Sequence, residues 1–201
     1  GEQCMIMDFI SGQTVADIAQ RGYKEGNPLS RNHAIRIVAD ACDGLDYTHN
    51  FTDIDDEDYA VVHRDVSPQN LMVTYQGVTL VFDYGIAKVV GQSSHVDTLA
   101  GGKYAYMSPA QCRGDEVDTR SDIFRLATIL YELTVGTRLF RRSSKDAVID
   151  AVVGGKIEPP GSVRDGFPPM LEDIIMKALE RDPDRRYQKA GKMRDDLRDF
   201  L

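Results

Sequence analysis

His63-Arg64-Asp65-Val66-Ser67-Pro68-Gln69-Asn70 is followed, after a short apolar stretch, by Asp83-Tyr84-Gly85. Between the two lie Leu71–Thr74 and residues 78–82, both apolar, on either side of Gln76-Gly77. Two short β-prone runs around a Gly-containing turn predict a β-hairpin. The stretch therefore places an Asp, an Asn five residues later, and a second Asp beyond a hairpin.

Outward from this point the chain reads as helical. On the C-terminal side, residues 121–136 carry Ile123, Phe124, Leu126, Ala127, Ile129, Leu130 and Leu133. A helix apolar nearly all round belongs at the centre of a fold. Residues 145–153, 169–179 and 188–201 predict three further amphipathic helices. On the N-terminal side, Ser30 is placed to cap a helix ending near His49, with Ile35, Val38, Cys42 and Leu45 on one face. Thr14 is placed to cap a shorter helix ending near Gln20. Residues 5–10 read as a short buried strand, and Ser11-Gly12 as a turn. Residues 51–59, with Asp53, Asp55, Asp56, Glu57 and Asp58, read as a solvated acidic loop. Residues 83–109 show little periodicity, and a run of that length without structure of its own is expected only where it is functional.

The bulk numbers fit one domain or a large piece of one: 201 residues, 42% hydrophobic, 28% charged. A net charge of -8 argues against a partner such as duplex nucleic acid, whose binders carry a basic face. Cys4, Cys42 and Cys112 form neither a disulfide framework nor a zinc signature, which suits reduced thiols in the cytoplasm. No apolar run reaches membrane-spanning length, and no basic leader stands at residues 1–9. The abrupt start inside the apolar run Cys4-Met5-Ile6-Met7 reads as the middle of a domain.

Phosphoryl transfer from a nucleotide calls for the residue types of the opening stretch. One carboxylate orients and deprotonates the attacking hydroxyl, while an amide and a second carboxylate hold magnesium on the phosphates. Magnesium keeps several water and phosphate ligands, so two protein ligands suffice.

At these residues the sequence resembles the protein kinases. His-Arg-Asp-x-x-x-x-Asn is similar to their catalytic loop, and Asp83-Tyr84-Gly85 to their Asp-Phe-Gly. The resemblance covers the whole chain. Residues 102–109, Gly-Lys-Tyr-Ala-Tyr-Met-Ser-Pro, look like the end of an activation segment. Asp122 resembles the buried Asp that accepts hydrogen bonds from the catalytic-loop backbone, and residues 182–187 resemble the closing motif. The bacterial, eukaryotic-like Ser/Thr kinases with Ser after Asp-x are particularly similar.

The resemblance implies a fold and a set of roles. The fold class is α+β, mainly α: the C-terminal lobe of a kinase with a small hairpin, spanning residues 1–201 with its activation segment at 83–109. Asp65 is the catalytic base, and Asn70 and Asp83 are metal ligands for Mg2+. Arg64 anchors the activation segment, where a phosphorylated Thr98 would suit its guanidinium. Met7, Asp8 and Ile10 lie on the hinge that carries the adenine of ATP, with Val15 and Met72 against its ring. His63 is expected to be a packed core histidine. Glu132 is expected to pair inside its helix rather than select a basic substrate. The partners implied are ATP and a protein substrate; a regulatory partner, a homodimer and an anchor elsewhere in a longer protein are left open.

Four departures stand out. Ser67 replaces the usual Lys, and Lys103 replaces the usual Thr, so the pair is exchanged; Lys103 is expected to return the missing positive charge to the transferring phosphate. Ala110 replaces the Glu that normally pairs with the residue here numbered Arg186, leaving that guanidinium short of a partner. Arg125 and Ala127 add bulk where the central helix usually carries small residues. No Gly-rich loop, Val-Ala-x-Lys strand or Glu-bearing helix is present, so the N-terminal lobe reads as missing and the isolated chain as poorly active. A pseudokinase, binding without turnover, is the rival reading, and a small-molecule phosphotransferase a second one.

Overall fold

Helix α4, Thr119–Val135, is the axis of the molecule. A computed structural model describes residues 8–52, 58–84 and 104–201. Along α4, residues 121–131 are all buried, as the all-round apolar pattern predicts. Asp118 caps its first turn, accepting from the Arg120 amide, and Gly136 ends it at φ 89, a conformation that glycine adopts without strain. Helix α2, Arg31–His49, packs along α4 and buries Ile35, Val38, Cys42 and Leu45. Ser30 caps α2 as expected, and Thr14 caps α1, Val15–Lys24, which runs one turn further than Gln20.

The strands are few and short. β1 (Gly12–Thr14), β4 (Leu71–Thr74) and β5 (Thr79–Val81) form an antiparallel sheet in the order β1-β4-β5, with Thr14 opposite Met72 and Met72 opposite Leu80. The expected hairpin is therefore present, turning at Gly77 with φ 85. Of the strand expected over residues 5–10, residues 8–10 carry none and residues 5–7 lie outside the described residues, and the first described strand begins at Gly12, where a turn was expected. The acidic loop also needs correcting, because β2 (Phe51–Thr52) and β3 (Asp58–Tyr59) pair antiparallel at its two ends.

The C-terminal helices close the core. α5 (Lys145–Val153), α7 (Pro169–Ala178) and α8 (Ala190–Phe200) match the amphipathic segments read from sequence. α8 lies against α2, where Asp43 pairs with Arg194 and Arg198, and Asp46 accepts from the Gly191 amide at 2.8 Å. Two short helices were not expected. α3 (Pro109–Arg113) starts at a capping box in which Ser108 and Gln111 satisfy each other's backbone amides. α6 (Pro160–Val163) hides in a Pro-Pro-Gly run that reads as loop. Cys42 and Cys112 are free thiols. No helix of the described residues is long and apolar enough to cross a membrane.

Candidate active site

The loop of residues 63–70 is pinned from beneath by one buried carboxylate. Asp122, fully buried on α4, accepts from the His63 amide at 2.8 Å, the Arg64 amide at 2.9 Å and His49 Nε2 at 2.9 Å. Arg64 sits at φ 65, a left-handed conformation that costs a residue with a side chain about 1–2 kcal/mol. Both sides of this residue are clamped: its amide by Asp122, and its carbonyl by Gln111 Nε2 at 2.8 Å.

His63 is the packed core histidine that the sequence suggested. Its Nδ1 accepts from the Asp65 amide at 3.2 Å, so its Nε2 carries the proton and donates to the Phe82 carbonyl at 3.0 Å. Burial lowers its pKa, against the opposing pull of Asp122. The ring of Tyr84 lies 4.4 Å from it, and the Tyr84 hydroxyl meets Thr48 at 3.3 Å. The aromatic residue after Asp83 thus packs against the loop histidine.

The hairpin brings the metal-ligand candidates to one end of the sheet. Asn70 immediately precedes β4, Asp83 follows β5, and the Phe82 amide donates to the Asn70 carbonyl at 3.1 Å. Asn70 Nδ2 donates to the Asp65 carbonyl at 2.8 Å, which leaves the amide oxygen to offer a ligand. Asp83 is exposed, with φ 60, a conformation that Asp tolerates better than most residues. An amide oxygen and a free-standing carboxylate fit the hard-oxygen preference of magnesium. No group of three or more acidic, His or Cys side chains among the described residues forms a metal cage.

Asp65 itself is 19% exposed and has a partner that the sequence did not suggest. Arg125, whose side chain is 2% exposed, places Nη2 2.9 Å from Asp65 Oδ1. The same guanidinium donates from Nε to the Val66 carbonyl at 2.8 Å and from Nη1 to Gln111 Oε1 at 3.0 Å. The bulk that the sequence pointed to at Arg125 is a hub between α4, the loop and α3. The signal was available: a guanidinium in a helix apolar on every side needs an acid or carbonyls within reach.

The remaining sequence candidates fall differently. Ile10 and Met72 are half-buried and Asp8 is exposed. Val15 is 1% exposed and taken up by the core, which suits packing better than contact with a ring. Met7, Lys103 and Thr98 lie outside the described residues. Glu132 is paired, with partners from outside its helix: it accepts from the Tyr106 hydroxyl at 2.7 Å and the Leu139 amide at 3.1 Å. Arg186 is not left short of partners. Its three donor nitrogens reach the carbonyls of Glu180, Arg120 and Arg181, and it lies over the Phe124 ring at 5.3 Å, so carbonyl oxygens, with no ion-paired acid among the described residues, replace the missing Glu. Burial still pushes its pKa down to about 10.

Beside the loop runs a groove of about 1000 Å³, lined by Gln20 and Lys24 of α1, Pro68 and Gln69 of the loop, Tyr106, and Glu132. Its floor at α1 is tied to the loop by the Ala16 amide, which donates to the Pro68 carbonyl at 2.9 Å.

Comparison with known proteins gives the family of the chain. The protein kinase domain family matches residues 1–196. The chain is 39% identical over 198 residues to tyrosine-protein kinase MasK of Myxococcus xanthus, covering 97% of this chain and 30% of that protein. It is 36% identical over 195 residues to serine/threonine-protein kinase PknB of Mycobacterium leprae, covering 96% and 29%. PknB of Mycolicibacterium smegmatis gives 35% over 196 residues, with 96% and 29% covered. The chain thus spans about three tenths of the length of these relatives. A match along nearly the whole chain, on a loop held as Asp122 holds this one, makes the chain a member of the protein kinase family, with relatives of the bacterial serine/threonine type.

Proposed function

We propose that the protein transfers the γ-phosphate of ATP to serine and threonine hydroxyls of protein substrates. The observation that carries this reading is the convergence of Asp65, Asn70 and Asp83 on one loop-and-hairpin unit whose backbone is fixed by Asp122. On this reading residues 1–201 span the hinge and large lobe, with the activation segment at 83–109.

Asp65 accepts the proton of the acceptor hydroxyl while that oxygen attacks the γ-phosphorus. The new O–P bond forms as the bond to the β-phosphate oxygen breaks, and ADP leaves. Asn70 and Asp83 hold magnesium, which when bound neutralises phosphate charge. Lys103 supplies the positive charge that Ser67 lacks, and Arg64 anchors the activation segment. Met7, Asp8, Ile10 and Met72 serve the adenine. The groove along α1 and Gln69 lies beside the loop that carries Asp65 and is open to solvent, which suits an acceptor that arrives from outside.

The acceptor is tested with the protein as its gene encodes it, given γ-labelled ATP, magnesium and protein substrates, followed by phosphoamino-acid analysis. Phosphoserine and phosphothreonine are expected. Phosphotyrosine alone would move the protein toward the activity that MasK's name carries. Label found only in sugars or antibiotics would contradict a protein kinase.

A further inference from the structure

Arg125 stands buried on the central helix, yet its guanidinium ends on the carboxylate that the proposed reaction uses as base. We propose that Arg125 is a positioning residue for Asp65: it holds the carboxylate in the orientation that meets the acceptor hydroxyl. The inference rests on the kinase reading of Asp65.

Three observations support it. The guanidinium is committed in three directions, to Asp65 Oδ1 at 2.9 Å, the Val66 carbonyl at 2.8 Å and Gln111 Oε1 at 3.0 Å. A planar fork with three fixed acceptors has one orientation, and so the Asp65 oxygen it holds has one place. Burial is also graded across the pair, 2% exposed for Arg125 and 19% for Asp65, so a desolvated group grips one that keeps some access to solvent. Finally, Gln111 joins the same network to the Arg64 carbonyl, so the anchor of Asp65 and the strained bend before it share one support on α3.

The test compares steady-state kinetics of the wild-type protein, as its gene encodes it, with Arg125→Met and Arg125→Lys, alongside their melting temperatures. Misplacing a reacting group by an ångström is expected to lower kcat roughly ten- to hundredfold, with the KM for ATP within about twofold of wild type. Arg125→Lys keeps the charge but cannot serve three acceptors at once, and is expected to fall between wild type and Arg125→Met. If Arg125→Met does not fold, Arg125→Lys carries the test alone. A folded variant with wild-type kcat, or with only a lowered melting temperature, overturns the inference. A raised kcat overturns it too, because the arginine would then restrain the base. No transfer by wild type overturns the kinase reading and this inference with it, whereas transfer by wild type and unaffected variants overturns this inference alone.

Discussion

His63 has neither of its ring nitrogens free for chemistry. One accepts from the Asp65 amide and the other donates to the Phe82 carbonyl, so the neutral ring links the loop of residues 63–70 to the segment that carries Asp83. A second proton would remove the acceptor and set a donor against the Asp65 amide. Burial accordingly lowers the folded pKa below the usual 6.5. The unfolded chain then binds a proton that the folded chain refuses, and stability rises with pH in that window. The contribution is complete above about pH 6.5 and is lost as pH falls through the folded value. Urea unfolding at neutral pH and near pH 5.5 should therefore show a smaller loss of stability for His63→Gln than for wild type; equal losses would mean that another group carries the acid sensitivity. At this scale the sequence revealed the residues whose spacing forms a motif, Asp65, Asn70, Asp83 and Asp122. Arg125 was hidden because its partners come from positions 65, 66 and 111, which only the fold brings together. The carbonyl partners of Arg186 were hidden for the same reason, since backbone acceptors leave no mark in side-chain identity.

Among the elements, long periodic helices were legible and short ones were not. α5 begins and ends where its apolar spacing places it, and Ser144 caps it. α3 and α6 span five and four residues, too few for a period to show, and each is started by a proline that reads equally well as loop. β1 is three residues long and begins at Gly12, and it owes its place to pairing with β4 rather than to its own propensity. That pairing leaves no room for a side chain: a Cβ at Gly12 would strike the Val73 carbonyl and lie 2.9 Å from Thr74 Cα. Gly12→Ala must therefore push β1 off the sheet, and α1 with it, whereas Gly77→Ala meets open space and bears only the strain of φ 85. The expected loss of stability is about 1–2 kcal/mol for Gly77→Ala and larger for Gly12→Ala. Chemical denaturation of the two variants checks the order, and a milder effect at Gly12 would mean that β1 is not held as described.

For the molecule as a whole, the site is organised from the centre outward. A single helix, α4, supplies Asp122 to the loop backbone and Arg125 to Asp65, and the same helix is the most buried element of the core. Core and candidate site therefore share one support, α4. α2 and α8 brace this centre through Asp43 and Asp46, so the acidic surface of α2 is partly spent on basic residues of α8. The fold class was legible because ordered motifs recur at separations that one architecture satisfies. The adenine-facing calls were less so, because a half-buried Met72 and a buried Val15 look alike in sequence.

The most direct test follows the label from γ-labelled ATP to protein hydroxyls over time, for the wild-type protein as its gene encodes it and for Asp65→Asn, with nucleotide affinity measured on both. Wild type should transfer phosphate, and Asp65→Asn should bind ATP and magnesium with similar affinity while its transfer rate falls on the order of 10²–10⁴-fold. Transfer at an undiminished rate by Asp65→Asn, or tight magnesium-dependent binding without any transfer by wild type, would contradict a kinase acting through Asp65, and the second result would make the protein a binding module.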